Sequence, residues 1–190
     1  MEQIKKTLYV YIGTVANKWS HKTKSDHKLR IGTQEDKKAD IIFNGFITKQ
    51  RPEFLDYRLT KIKLKNDSAY YLDLITFKYK KQFNQIKKVA DNYSKISLMV
   101  APGGLFGSSV TPILIELLSD NQIELSFSSF NNDLGKEDEA LLLNLIVKYK
   151  KLDTKKIYLQ NMDKLKDLKM SEFLDLLDKK VEKHITNHNH

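Results

Sequence analysis

The chain has no cysteine, and only three prolines and seven glycines among its 190 residues. Without thiols, disulfides and thiolate metal sites are excluded. Long apolar runs are missing too. The N-terminal MEQIKK precedes only a short apolar stretch, Thr7 to Gly13. No segment approaches the ~18 residues of a membrane span, and none has the form of a signal peptide. A cytoplasmic protein with no membrane association is the expectation. There is no run of five or more basic residues, no internal repeat, no low-complexity tract and no linker.

What is present has the balance of an ordinary soluble globular protein, 41% hydrophobic and 30% charged. The length suffices for one domain with a real core. Residues 1–186 are expected to form a single α/β domain, with 187–190 a frayed tail. The formal net charge is +9. That permits nucleotides, nucleic acid or acidic proteins as partners, although the lysines are spread along the chain.

The scarce glycines gather in one place. Ser97 to Ala101 is an apolar run that reads as a buried strand, and Pro102-Gly103-Gly104-Leu105-Phe106-Gly107-Ser108-Ser109 follows as a small-residue loop. Thr111-Pro112 has the form of a helix start, with Thr as N-cap and Pro in the first turn. Strand, glycine loop and helix together aim backbone N–H groups and a helix dipole at an anion, usually a phosphate.

The rest of the chain alternates around that unit. Strands are expected at Thr7–Gly13, Lys28–Gly32, Ala39–Lys49, Tyr57–Lys65, Gln122–Phe130 and Lys155–Gln160. Thr14 to Asp26 reads as an exposed polar loop. Asn66-Asp67-Ser68 signals a helix start. Leu72, Ile75, Tyr79, Phe83, Ile86 and Val89/Ala90 then mark one face of a long amphipathic helix, about Ser68 to Tyr93. Further helices are expected at Thr111–Ser119, Glu137–Lys151 and Ser171–Ile185, the last with Phe173, Leu174, Leu177 and Val181 inward and Asp175 and Asp178 on its solvated side. The fold class is α/β: a mostly parallel sheet flanked by helices, Rossmann-like and three-layered, with a β-rich N-terminal portion. In such sheets the ligand sits at the carboxyl ends of the strands, where Gly13-Thr14 and Pro102 to Ser109 both fall.

This order of features resembles the nucleotide-binding half of the tubulin/FtsZ superfamily. The family's GGGTG(T/S)G loop is matched here by Gly103, Gly104, Gly107 and Ser108, and Leu152-Asp153-Thr154, a following strand, Asn161 and Leu165 resemble a later family passage. The resemblance covers about Thr7 to Leu165. It implies a guanine nucleotide, GTP or GDP with accompanying Mg, whose phosphates lie against the main chain of Gly103, Gly104, Gly107 and Ser108. Gly13, Thr14 and Asn17 would line the opposite side, and Asn161 would recognise the base with its donor and acceptor. Leu105-Phe106 stands where the family has Gly-Thr, and Leu134 and Asp138 stand where it has a ribose-binding Glu and an Arg. By the resemblance, the segment completing hydrolysis in that family is expected to have no counterpart among these 190 residues. The expectation is a reduced or regulatory member with weak or no hydrolysis and no catalytic residue of its own, engaging a protein partner or forming a homo-oligomer.

A second reading keeps the fold but fills the ligand site with Leu105 and Phe106, leaving a non-catalytic module for protein or nucleic acid. A third is a cyclic-oligonucleotide sensor of the CARF type, whose Gly-Gly-Thr-Lys pattern is missing. His21 with His27, and His184 with His188 and His190, are the candidate metal ligands, read as solvated side chains. Trp19 is read as covering the sheet edge, with base stacking as the alternative.

Overall fold

The computed structural model describes residues 4–46, 75–101, 105–129 and 153–158, together with Glu172, Asp175, Leu176, 178–180, Glu182 and Lys183. The expected strand at Tyr57–Lys65, the helix start at Asn66–Ser68 with Leu72, the helix at Glu137–Lys151, and Leu134, Asp138 and Leu165 lie outside the described residues.

Six strands form one sheet: β1 (Ile4–Ile12), β2 (Lys28–Thr33), β3 (Ile41–Phe43), β4 (Tyr93–Val100), β5 (Gln122–Ser129) and β6 (Asp153–Tyr158). Their order is β3-β2-β1-β4-β5-β6, and every pairing is parallel. The chain winds outward in one direction from β1 and in the other from β4. This is the doubly wound, Rossmann-like α/β architecture, and it puts the reversal of strand order between β1 and β4.

Alternation along each strand separates the two faces. Leu8, Val10 and Ile12 of β1, Ile96, Leu98 and Val100 of β4, and Ile123 and Leu125 of β5 join one buried cluster. Helices α2 (Lys80–Ala90) and α3 (Leu105–Leu117) cover that face and touch each other. Tyr11 and Met99 are buried on the opposite face, the side of α1 (Thr14–Trp19) and a 3₁₀ turn at Ser20–Lys22. The Tyr11 hydroxyl hydrogen bonds the Thr23 hydroxyl just beyond that turn. Covering both faces is what a parallel sheet requires, and it explains why Ile96 to Val100 is buried without a break.

The apolar stripe expected before β4 is present. Ile75, Tyr79, Phe83, Ile86 and Ala90 are buried in order along the segment entering and forming α2. The helix ends earlier than expected, at Ala90, and Tyr93 already belongs to β4. Asn92 caps it by donating from Nδ2 to the carbonyls of Lys88 (3.1 Å) and Val89 (3.2 Å).

Four expectations are corrected. Residues Thr14 to Lys22 are helical, where an exposed loop was expected: Ala16, Asn17, Trp19 and Ser20 recur at three- to four-residue spacing and are all buried. Helix α3 begins at Leu105, not at Thr111, so the second half of the glycine loop is helix and Pro112 lies inside it. Pro112 cannot donate to the Ser108 carbonyl. The neighbouring Thr111 hydroxyl adds a bond of 2.7 Å to the Gly107 carbonyl, and burial of Phe106, Val110, Leu114 and Ile115 outweighs the missing amide. Strand β3 spans three residues rather than eleven, because the chain turns at Asn44–Gly45, where Gly45 has φ 66°. Strand β6 starts at Asp153, two residues before the expected position.

Candidate functional site

The crevice between the carboxyl ends of β1 and β4 is the place where this topology leaves room for a ligand. Ile12 and Val100 pair across it, so Gly13 and Ala101 leave the sheet side by side. Gly13 has φ 87° and ψ 166°, a conformation that L side chains rarely adopt. The turn it makes sends the chain directly from β1 into α1. Its amide donates to the Ile31 carbonyl at 2.9 Å, which ties the turn to β2.

From the β4 side, α3 crosses at close range. A β-carbon built on Gly107 would lie 2.8 Å from Val100 Cγ2, 3.2 Å from the Ala101 carbonyl oxygen and 3.9 Å from the Ile12 carbonyl oxygen. Only glycine lets the first turn of α3 rest against the ends of both central strands. That brings the N-terminal amides of α3, with the positive end of its dipole, to the crevice. Gly13, Thr14, Gly107 and Ser108 therefore converge there, with Thr14 exposed. Pro102, Gly103, Gly104 and Asn161 lie outside the described residues.

Phe106 is a core residue. Its ring packs edge-on against Phe43 (centroids 5.3 Å apart) and Phe46 (4.9 Å), and its Cδ1 lies 3.6 Å from where a Gly13 β-carbon would be. Tyr79 completes the cluster against Phe43 and Phe46. Burial pushes the Tyr79 hydroxyl above the ordinary tyrosine value, and that hydroxyl has no hydrogen-bond partner among the described residues. For Leu105, only the backbone is described.

Asn17 is placed differently from its sequence expectation. Its side chain is 1% exposed and turns to the end of β2. There Nδ2 donates to the Ile31 carbonyl (3.0 Å) and to Asp36 Oδ2 (2.5 Å). Asp36 is itself buried and accepts from the Lys38 amide at 3.1 Å. Asn17 thus pins α1 to the β2–β3 turn, and both of its donor hydrogens are used within the protein.

Trp19 is buried and not available for base stacking. It is 1% exposed, and its Nε1 donates to Asp178 Oδ1 at 2.8 Å. Lys22 pairs with Glu182 at 3.0 Å. These two contacts dock the helical residues between 172 and 183 on α1 and its 3₁₀ turn, so Asp178 does not belong to a purely solvated face. The spacing of Trp19 and Ser20 after Ala16 is the one sequence signal that marks this buried side.

A surface hollow of about 440 Å³ beside β2 is lined by Ser20, His21, Asp26, Lys28, Arg30, Lys38 and Asp40. Arg30 spans Asp40 with Nε at 3.0 Å and Nη2 at 2.6 Å, and adds its backbone amide at 2.8 Å. Partial burial pushes the Asp40 carboxyl up, but the Arg30 hydrogen bonds and charge outweigh it and hold the carboxyl below its ordinary value. On the α1 face, burial pushes the Tyr11 hydroxyl up to about 12 against the Thr23 hydrogen bond. His27 Nδ1 is 3.0 Å from the Tyr93 hydroxyl, and the exposed His21 hydrogen bonds the Lys18 carbonyl. Among the described residues no group of three or more His, Asp or Glu could hold a metal ion, and no helix is long and apolar enough to cross a membrane.

The fold is a doubly wound, Rossmann-like α/β domain with its crevice between β1 and β4. Solved structures of that fold include TubZ from Clostridium botulinum phage c-st, with a TM-score of 0.56 and 13% identity over 93% of this chain and 58% of that one. TubZ from bacteriophage PhiKZ gives 0.58 and 14% over 95% and 60%. CetZ from Methanosaeta thermophila strain DSM 6194 gives 0.60 and 12% over 95% and 52%. These proteins belong to the tubulin/FtsZ superfamily. The chain spans between about half and three fifths of their lengths. No protein-family model and no curated protein sequence matches the chain.

Proposed function

We propose that the chain binds a guanine nucleotide at the crevice between β1 and β4 and acts as a reduced or regulatory tubulin/FtsZ-like protein with weak or no hydrolysis. One observation carries the reading: Gly107 admits the first turn of α3 to the ends of both central strands, beside the positive-φ turn at Gly13. Main-chain amides of that turn, with the helix dipole behind them, suit the phosphates of GTP or GDP. Gly13, Thr14, Gly103, Gly104, Gly107 and Ser108 are the proposed phosphate contacts, and Asn161 the proposed base contact. Asn17 supports α1 rather than touching the ligand. Mg would enter with the phosphates, since the described carboxylates offer it no site of their own. Phe106 lies in the aromatic cluster, which favours an open crevice over one filled by Leu105 and Phe106.

Self-association is part of the proposal, because one structure of the PhiKZ TubZ is of a protofilament. Isothermal titration with GTP, GDP, ATP and cyclic nucleotides tests the binding. Saturable heat with GTP or GDP, and little with ATP, is expected. Silence toward all of them at millimolar concentration rejects the reading. Sedimentation with and without GTP tests assembly.

A further inference from the structure

The outer face of α2 is basic, carries no acid, and continues upstream to an aromatic ring in water. Phe83, Ile86 and Ala90 face the core, while Lys80, Lys81, Asn84, Gln85 and Lys88 are all exposed and line a shallow hollow of about 540 Å³. The helical path extends backward from α2. The Tyr79 amide donates to the Ile75 carbonyl at 2.9 Å, and the Phe83 amide to the Tyr79 carbonyl at 3.0 Å. Phe77 therefore lies one turn before Lys81. It is 82% exposed, against 39% for Ile42 and 38% for Leu176. Four other phenylalanines, Phe43, Phe46, Phe83 and Phe106, are buried. Nothing in the packing of the described residues explains why this ring is left out.

The neighbouring charges divide into used and unused ones. Lys87 is paired with Asp91 (3.4 Å) and Asp120 (3.9 Å), and Lys78 donates to the Gly45 carbonyl at 3.1 Å. Among the described residues, Lys80, Lys81 and Lys88 have no ion-pair partner. They span about 12 Å along the helix axis at 1.5 Å per residue.

We propose that this face docks single-stranded nucleic acid. Phe77 stacks on a base, Lys80, Lys81 and Lys88 take phosphates, and the Asn84 and Gln85 amides hydrogen bond to sugar or base edges. An aromatic ring beside a line of free lysines is the pairing that such strands need: a π-face for the base and cations for the backbone. A face that enters a membrane would carry several apolar side chains, whereas this one carries a single ring and two amides. The inference does not rest on nucleotide binding at the crevice.

Fluorescence anisotropy of a labelled oligothymidylate with the full chain tests it, at about 50 mM salt and protein up to about 100 µM, the range of non-specific binding. Three phosphate contacts predict a log–log salt slope of about −2 for a single strand. Each of Lys80→Gln, Lys81→Gln and Lys88→Gln should flatten that slope by about 0.7. Phe77→Ala should weaken binding about 5- to 150-fold with the slope unchanged, one lost stacking contact. Both kinds of variant change exposed side chains, and an unchanged urea midpoint verifies the fold. The proposal is overturned by no binding under these conditions, by Phe77→Ala or the lysine variants binding as wild type, or by a duplex of equal length binding as tightly. Binding to poly-glutamate or to anionic vesicles in place of the oligonucleotide overturns it as well.

Discussion

Replacing Gly107 by alanine probes the contact that shapes the crevice. The added methyl would meet Val100 Cγ2 at 2.8 Å and the Ala101 carbonyl oxygen at 3.2 Å. Val100 is fully buried and β-branched, so its side chain has little freedom to swing aside. The carbonyl is backbone and moves only with the end of β4. Overpacking of this kind costs about 1–3 kcal/mol. Alanine's better helix propensity returns about 1 kcal/mol at a position inside α3. The net expectation is a loss of about 1 kcal/mol, a fall in Tm of about 2–4 °C for a chain of this size. Urea unfolding followed by the fluorescence of the single tryptophan, Trp19, measures it. Val100→Ala relieves the clash, so the double variant should be more stable than the two single losses added together, by about 1 kcal/mol. The reasoning fails if Gly107→Ala is more stable than wild type, because propensity alone would then govern the site. It fails equally if the two substitutions are additive.

Three other outcomes follow from the α1 side of the sheet. Asn17→Ala should destabilise by about 1–3 kcal/mol, since it removes two buried hydrogen bonds and leaves the buried Asp36 short of a donor; a change below about 0.5 kcal/mol in a urea titration would refute that role. Asp178→Ala should red-shift Trp19 emission while far-UV circular dichroism is retained, and an unshifted spectrum would mean that the terminal helical residues do not hold the indole in place. Tyr11 keeps its proton to about pH 12 in the folded chain but only to about pH 10 when unfolded. Its contribution is therefore fully present below pH 10 and is lost as pH rises toward 12, by up to about 1.4 kcal/mol per unit. Alkaline unfolding curves should show that slope, and Tyr11→Phe should remove it.

The sequence was legible where burial repeats with a regular period. Alternation in β1, the unbroken run of β4 and the stripe from Ile75 to Ala90 each show in the local sequence which sides of their element are buried. Helix α1 was not legible, because six residues hold less than two turns and its inward side includes Asn17, a polar residue buried by partners fourteen and nineteen positions away. The start of α3 was misplaced for a different reason. Thr111-Pro112 is a good helix opening in isolation, and only the packing of Phe106 and Gly107 on the strands carries the helix past it. The candidate site followed the same division. Gly13 and Gly107 were marked by the scarcity of glycine, and their meeting at the crevice followed from the topology. The role of Asn17 depended on Asp36, and that of Asp178 on Trp19, pairs that no local pattern connects.

The bond between Trp19 and Asp178 spans 159 positions. Contacts of that separation carry a large closure entropy and form late, after local helices and neighbouring strand pairs are in place. On a ribosome, α1 emerges 159 positions before Asp178, so the indole must wait for its partner to be made. The tryptophan can thus report on when this long-range contact closes during folding. Its emission should reach the native value after secondary structure has formed, and a delay between those two signals in stopped-flow refolding would time the closing of α1 against the helical residues around Asp178.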